Sequence, residues 1–294
     1  MPFKDLCLAL LVIVAWGLNF IVIKYGLDGL PPMLLGALRF TLVAIPAVFF
    51  IRRPKLPWLW LLAYGATISF GQFAFLFESM AHGMPPGLAS LLLQAQAFFT
   101  LLFAAMFIGE KLRVYSVAGL LIAAGGLTLI GMGTGAATPL LAVLLVLCAA
   151  SMWALGNIIT RRFGNVDLVA LVVWGAIVPP LPFLAMSWWL EGPALIEHSL
   201  LNLSWSSVLS LAYLAFVATL FGYISWSKLL SRYPAGKVAP FSLLVPVVGL
   251  SSSALVLGER LSVLQCAGGV LVMLGLTVNL LGPKLFGSAK RATA

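Results

Sequence analysis

The residues of this sequence that could do chemistry are a few polar side chains inside long apolar stretches. Arg39 lies about two helical turns, roughly 10 Å, into one such stretch. A charge in an apolar environment is costly unless it is paired or hydrated, so Arg39 marks a candidate functional site. Its guanidinium predicts bidentate binding of a substrate carboxylate. The alternative is a structural pair with a carboxylate such as Glu78, or with carbonyls at a helix end.

Amide side chains form a second group of candidates. Asn19, Gln94, Gln96 and Asn157 lie within apolar stretches, where an amide can donate to and accept from a zwitterion without adding charge. Gln94 and Gln96 are two residues apart and project to nearly opposite sides of an α-helix, so we expect only one, Gln94, to face a cavity. Asn19 and Asn157 are equally suited to hydrogen bonds between helices.

Three further residues could transfer a proton or bend a helix. Glu78 and His82 are four residues apart and share a helical face, which makes them a candidate proton relay. Pro246 interrupts another apolar stretch and is a candidate hinge, the alternative being a packing kink.

The sequence lacks the residue groupings of an enzyme. Cys7, Cys148 and Cys266 are far apart, without metal-ligand spacing. The two histidines have no carboxylate and nucleophile at catalytic spacing, and there is no phosphate-binding GxxxxGK[ST] loop. We therefore expect no catalytic residue, no metal and no cofactor.

The composition identifies the environment of these residues. Of 294 residues, 62% are hydrophobic and 9% charged, which is too few charges for the surface of a soluble protein. In lipid, backbone amides must pair within helices or closed barrels, and continuous apolar runs favour helices. The fold class is therefore an all-α integral membrane protein.

Hydropathy predicts ten transmembrane helices joined by short connections. Several of them begin at proline, which loses no intrahelical hydrogen bond in a first turn. The predicted spans are 6–25, 32–51, 57–79, 85–108, 114–132, 138–160, 168–190, 205–229, 237–257 and 262–282.

Lysine and arginine accumulate at alternate connections. The positive-inside rule places that side, with both termini, in the cytoplasm. The net charge of +9 is explained in this way, and no basic face with interleaved aromatic residues indicates nucleic-acid binding. The opposite side holds Lys24 and Arg260 with Asp28, Glu191, Glu197 and Glu259.

An internal repeat divides the chain into halves. The segment from Gly87 aligns without gaps on the segment from Gly236. Five spans per half is an odd number, so the halves must cross the membrane in opposite directions, as inverted repeats. We predict a first repeat at 1–135, a second at 136–284 and a cytoplasmic tail at 285–294. The aligned positions are Gly109, Glu110, Leu112, Gly119, Gly126 and Thr128 with Gly258, Glu259, Leu261, Gly268, Gly275 and Thr277.

Glycines concentrate in the fifth and tenth spans and allow close approach of helices. This suits helices that slide during transport and equally a static pair, including the contact of a homodimer. The glycines are Gly119, Gly125, Gly126, Gly268, Gly269 and Gly275.

The duplicated ten-span layout, with the sequences WGLNFIVIKYG, LRF, GEKL and GERL, resembles the EamA-type branch of the drug/metabolite transporter superfamily. The resemblance covers nearly the whole chain. It implies a secondary transporter of the bacterial inner membrane that works without ATP. It also implies that helices carrying Trp16, Trp153, Tyr213, Tyr223 and Trp226 line a central cavity, where these aromatic side chains would contact substrate. The alternative for each is packing between helices or anchoring at the membrane interface.

Inverted repeats provide equivalent gates on the two sides of the membrane, so we expect alternating access to one central site. The segments GMPPGLASLLLQAQAFFT and AYLAFVATLFGY are similar to those of bacterial exporters of cysteine and O-acetylserine. This resemblance implies export of small polar metabolites. The alternatives are export of hydrophobic or aromatic compounds, or a facilitative channel.

Overall fold

A computed structural model describes residues 1–133, 138–163 and 166–287. Every regular element in these ranges is a helix, so the prediction of an all-α fold is confirmed. The predicted boundary between residues 135 and 136 lies outside the described residues, as does most of the predicted tail at 285–294.

Nine of the described helices are long and apolar enough to cross a membrane, and a further apolar helix has 17 residues. Each helix begins within a few residues of the start of a predicted span. In chain order they are α1 (Phe3–Leu27), α2 (Pro32–Val48), α3 (Trp58–Ala81), α4 (Pro86–Ile108), α5 (Val114–Gly133), α6 (Leu140–Arg161), α7 (Leu168–Glu191), α8 (Trp205–Arg232), α9 (Pro240–Leu257) and α10 (Val263–Gly287).

Two details differ from the prediction. Helix α2 ends at Val48, and a turn at Phe49 and Phe50 follows it, so it is shorter than the predicted span 32–51. A short helix, Pro193–Leu201, occupies the connection between α7 and α8. Hydropathy did not predict this helix because it is too short and too polar to cross a membrane.

Helices α4 and α9 end in the same way. Gly109 follows α4 with a φ of 73°, and Gly258 follows α9 with a φ of 66°. In this left-handed backbone a Cβ would clash, so glycine is favoured. The two glycines are aligned in the internal repeat, so the repeated sequence forms the same turn in both halves.

Matching departures from α-helical geometry occur in the two halves. When Gly87 is aligned with Gly236, a π-helical stretch of α3 overlaps one of α8, and a 3₁₀ stretch of α4 overlaps one at the start of α9. Such departures inside helices are often found at functional sites. The π-helical stretches are Gly65–Gly71 and Tyr213–Phe221, and the 3₁₀ stretches are Leu93–Ala95 and Ala239–Leu243.

Helices α5 and α10 pack directly on each other. A Cβ added at Gly119 would lie 2.6 Å from the carbonyl oxygen of Gly275, and one at Gly126 would lie 2.6 Å from that of Gly268. Only glycine allows backbones to approach so closely. This pair lies within one chain, so these four glycines need no homodimer to cover them.

The outer surface of the bundle is apolar, with tryptophans at helix ends. Trp188, Trp189 and Trp205 are exposed at one end, and Trp58 is exposed at the other. Tryptophan is enriched at both membrane interfaces. Together with the apolar helices, this surface defines a multi-pass membrane protein.

Candidate binding cavity

A cavity of about 320 Å³ lies in the middle of the bundle. Helices α1, α2, α3, α4, α6, α8 and α9 contribute to it, so both halves of the chain form the site. Its volume lies in the range of small-molecule sites. Its polar lining includes Asn19, Arg39, Gln72, Ser90, Gln94 and Gln96.

Arg39 is the one charged side chain among the described lining residues. It is 2% exposed. Its Nη2 donates to Thr219 Oγ1 at 3.0 Å, and its Cζ lies 4.1 Å from the ring centroid of Phe73. Nε and Nη1 are buried without a hydrogen-bond partner. Because buried donors without partners are unfavourable, Arg39 suits an anionic ligand.

The π-helical stretch of α8 provides partners for two other helices. The hydroxyl of Thr219 donates to Leu214 O at 2.8 Å, which leaves its oxygen free to accept from Arg39. The carbonyl of the preceding residue, Ala218, accepts from Trp16 Nε1 at 2.9 Å. Two consecutive residues of α8 therefore position Arg39 of α2 and Trp16 of α1.

Glu78, the carboxylate that could have paired with Arg39, lies elsewhere. It is near the end of α3, where its Oε2 is 3.4 Å from His82 Nδ1. Neither residue lines the cavity. The structure thus brings the candidate relay pair together, but away from the site of Arg39.

Unpartnered polar atoms concentrate at the cavity. Every buried side-chain nitrogen or oxygen that lacks a hydrogen-bond partner in the described part of the chain belongs to a lining residue. Buried polar groups are normally satisfied, so this cluster of unpartnered atoms suits the binding of a polar ligand. The atoms are Asn19 Oδ1, Arg39 Nε and Nη1, Gln72 Oε1 and Gln96 Oε1.

Gln94 and Gln96 both line the cavity, so the prediction that only one would face it is wrong. The reason is the 3₁₀ stretch Leu93–Ala95. With 3.0 residues per turn, side chains two apart are separated by roughly 120°, compared with roughly 160° in an α-helix.

Aromatic side chains form a wall of the cavity. Trp16, Trp153, Tyr223 and Trp226 line it. The ring centroid of Trp16 lies 5.5 Å from that of Tyr223 and 5.3 Å from that of Trp226, and the Trp153 and Tyr223 centroids are 6.4 Å apart. Such rings provide rigid apolar surface for the uncharged part of a ligand.

Three other predicted residues lie outside the cavity lining. Asn157 Nδ2 donates to Thr100 Oγ1 at 3.2 Å, and Tyr213 Oη donates to Ala15 O at 2.9 Å. Both side chains form hydrogen bonds between helices. Pro246, the candidate hinge, is buried in α9 just beyond its 3₁₀ stretch.

Gln72 and Ser90 are polar lining residues that the sequence interpretation missed, and Gln72 is the larger of the two. It is 1% exposed and follows the π-helical stretch of α3, with its backbone N–H donating to Thr67 O. The signal was an uncharged polar residue in the middle of an apolar span, the same signal that singled out Asn19.

One end of the bundle, called the clamped end here, is where α2 and α4 begin. Glu259, just after α9, accepts from the backbone N–H groups of Gly87 at 2.9 Å and Leu88 at 3.2 Å. The hydroxyl of Ser253 donates to the same carboxylate. First-turn N–H groups have no intrahelical partner and carry the positive end of the helix dipole, so Glu259 caps α4 from the connection between α9 and α10.

Glu191 caps α2 at the clamped end in the same manner. Its carboxylate accepts from the backbone N–H groups of Met33 at 2.6 Å and Leu34 at 3.2 Å, and from the Ser187 hydroxyl at 2.5 Å. Each capped helix is preceded by a proline and has proline as its first residue. Residues of the second half thus fix the first turns of two helices of the first half.

The opposite end is held by exposed ion pairs. Glu110, which is aligned with Glu259, pairs with Arg161 Nη1 at 2.8 Å. Asp5 accepts from Arg232 Nη1 at 3.2 Å and from Tyr233 Oη at 2.6 Å. The aligned glutamates therefore make different contacts at the two ends.

A membrane-spanning helical bundle around a central polar and aromatic cavity has the architecture of a small-molecule transporter. The model of the EamA-like transporter family matches residues 4–132 and again residues 140–281. The chain belongs to this family, which confirms the resemblance seen in the sequence. It is a transporter and not an enzyme.

The chain is similar over nearly its whole length to several bacterial proteins. It is 50% identical over 285 residues to a probable amino-acid metabolite efflux pump of Escherichia coli (strain K12), covering 95% of each chain. It is 52% identical to the protein of the same name from Salmonella typhimurium, with the same coverage. It is 26% identical to a probable terminal-alkyne amino-acid exporter of Streptantibioticus cattleyicolor, covering 96% of this chain and 95% of the relative.

A solved crystal structure has the same fold. The two superpose with a TM-score of 0.63 at 22% identity, over 97% of this chain and 99% of the other.

Proposed function

We propose that this protein exports amino-acid metabolites across a bacterial inner membrane and that Arg39 binds the substrate carboxylate. The bacterial relatives at 50% and 52% identity are named as probable amino-acid metabolite efflux pumps. The observation that carries the proposal is the guanidinium of Arg39, which is buried at the cavity with Nε and Nη1 unpartnered.

A carboxylate ligand supplies what Arg39 lacks. The lining contains no acidic side chain among the described residues, and a buried charge without a counter-ion is strongly unfavourable. A charge-assisted hydrogen bond to a carboxylate is about twice as strong as a neutral one. Thr219 and Phe73 hold the guanidinium in place, so its orientation is set before the ligand arrives.

Cysteine and O-acetylserine are the specific substrates proposed. Both have the carboxylate required by Arg39, and their short side chains suit a cavity of about 320 Å³. A second candidate is the export of aromatic compounds, which the wall of Trp16, Trp153 and Tyr223 favours. Compounds without a carboxylate would be carried independently of Arg39. The dependence of transport on Arg39 therefore distinguishes the two candidate functions.

The proposed mechanism is alternating access by two inverted repeats, 1–135 and 136–284, with both termini and the 285–294 tail in the cytoplasm. The distribution of lysine and arginine then places the clamped end outside. Glu259 and Glu191 hold that end, where α4 and α2 begin. Releasing these caps would open the cavity outward, while Glu110, the repeat counterpart of Glu259, would close the cytoplasmic end.

The test is counterflow in liposomes that contain the purified protein. Unlabelled cysteine or O-acetylserine inside the liposomes should accelerate uptake of the labelled compound, and uptake should saturate, because a carrier returns faster when loaded. The Arg39→Lys variant is the matched control, since it keeps the charge and loses the planar fork.

Flux that rises linearly with concentration and ignores internal substrate would favour a facilitative channel. Saturable transport of aromatic compounds alone, unchanged in the Arg39→Lys variant, would favour the second candidate.

A further inference from the structure

Three amide oxygens at the cavity are buried without hydrogen-bond donors. They are Asn19 Oδ1 from α1, Gln72 Oε1 from α3 and Gln96 Oε1 from α4. We infer that Gln72, with Asn19 and Gln96, forms an acceptor site for the free ammonium group of the substrate. This inference rests on the proposed function and adds the chemistry that selects the substrate.

The number and kind of these atoms match an ammonium group. A primary ammonium has three N–H donors and no acceptor, and three amide oxygens can receive them. Leaving the oxygens unpaired in a cavity that holds a ligand is unfavourable, so a ligand without donors is rejected. Selection at this site therefore acts on the amino group, whereas Arg39 acts on the carboxylate.

The neutrality of the three acceptors is part of the argument. Arg39 is the one charged group among the described lining residues. An acidic side chain in the lining would attract the ammonium, but it would also pair with Arg39 and compete with the substrate carboxylate. Amide oxygens accept from the ammonium without this competition, so the cavity is complementary to a zwitterion.

The local structure of α3 presents Gln72 to the cavity. The π-helical stretch Gly65–Gly71 ends immediately before it, and the next residue, Phe73, supports Arg39 at 4.1 Å. Leu76, one turn further along α3, also lines the cavity. Gln72 and the ring that stacks on Arg39 are thus adjacent residues of one helix, which fixes the two ends of the site relative to each other.

A pair of isomers isolates the role of the amino group. O-acetylserine has a free ammonium, whereas N-acetylserine has the same atoms and carboxylate but an uncharged amide. Transport of each is measured in liposomes at mildly acidic pH, where the protonated amine cannot attack the ester. The proteins compared are the wild type, Gln72→Met, which keeps side-chain length and removes the acceptor, and Arg39→Lys.

The wild type should have a KM about tenfold lower for O-acetylserine than for N-acetylserine. Gln72→Met should bring the two KM values nearly together, because it raises the KM for O-acetylserine and removes an oxygen that N-acetylserine leaves unpaired. Saturable transport of N-acetylserine by this variant also shows that it is folded. Arg39→Lys should raise both values. Equal wild-type values, or the wild-type preference retained in Gln72→Met, would overturn the acceptor site and leave the role of Arg39 standing. Transport of neither isomer by the wild type would overturn both proposals.

Discussion

Glu259 caps the first turn of α4 by accepting the backbone N–H of Gly87 at 2.9 Å, although 172 residues separate them in the chain. The contact joins the end of α9 to the beginning of α4, a helix that lines the cavity. A cap of this kind can be released without unfolding either helix, because it engages only first-turn amides. It is therefore suited to a gate.

We expect Glu259→Ala to open the clamped end. Hydrogen bonds to a charged group contribute roughly 1.5–3 kcal/mol each, and a shift of about 1.4 kcal/mol changes a population tenfold. A cysteine introduced by Leu93→Cys, in a background without native cysteines, should react about tenfold faster with a membrane-impermeant maleimide added outside.

The matched control for this gate is Glu110→Ala, which removes the repeat counterpart at the opposite end. It should not raise the outside labelling rate, because Glu110 lies at the opposite end and its proposed role is to close the cytoplasmic side. If Glu259→Ala labels no faster than the parent protein, the cap does not hold the clamped end closed.

Replacing Arg39 should affect transport and not assembly. Arg39→Ala should abolish efflux of amino-acid metabolites, and Arg39→Lys should raise the KM about tenfold, because the ammonium loses the bidentate geometry. Uptake into inverted membrane vesicles gives the rates, and the amount of protein in the membrane fraction gives the control. Normal transport by Arg39→Ala would remove Arg39 from the binding site.

Asn19 and Asn157 are both amides inside apolar helices but should respond differently to substitution. Asn19→Leu removes an unpartnered acceptor of the cavity and should raise the KM about tenfold. Asn157→Leu removes a hydrogen bond to Thr100 and should lower the free energy of unfolding by about 1 kcal/mol, with the KM unchanged. Transport assays and thermal unfolding in detergent measure the two effects. A raised KM in Asn157→Leu would argue against this division of roles.

The packing of α5 on α10 should distinguish neighbouring glycines. Gly126→Ala places a methyl group against the carbonyl oxygen of Gly268 and should destabilise the protein by about 1–3 kcal/mol. Gly125→Ala meets nothing within 4 Å, so it should be neutral or stabilise α5 by up to about 1 kcal/mol. Melting temperatures in detergent measure both variants. Equal melting temperatures would show that the two backbones are not in close contact.

The sequence predicted the helices well because their signal is local. Apolar length decides which segments cross a membrane, and each helix begins within a few residues of its predicted span. The same applies to Arg39, Asn19 and Trp16, whose polarity or aromatic character inside apolar spans marked them before their positions were known. All three line the cavity.

The sequence did not predict contacts that depend on helix distortion or on distant partners. The 3₁₀ stretch of α4 brings Gln94 and Gln96 to one cavity, and no hydropathy pattern indicates such a stretch. Asn157 and Asn19 looked equivalent because both are amides inside apolar spans, yet Asn157 donates to Thr100 and Asn19 lines the cavity. The backbone N–H groups that donate to Glu191 and Glu259 lie in the other half of the chain.

The trans caps have a consequence for biosynthesis. Met33 and Gly87 leave the ribosome long before the glutamates that accept their N–H groups, which follow 158 and 172 residues later. During translation the first turns of α2 and α4 therefore have no carboxylate to neutralise them. Closure of the clamped end is therefore one of the last events of assembly. A chain truncated before Glu191 would insert its early helices, but its clamped end would stay open.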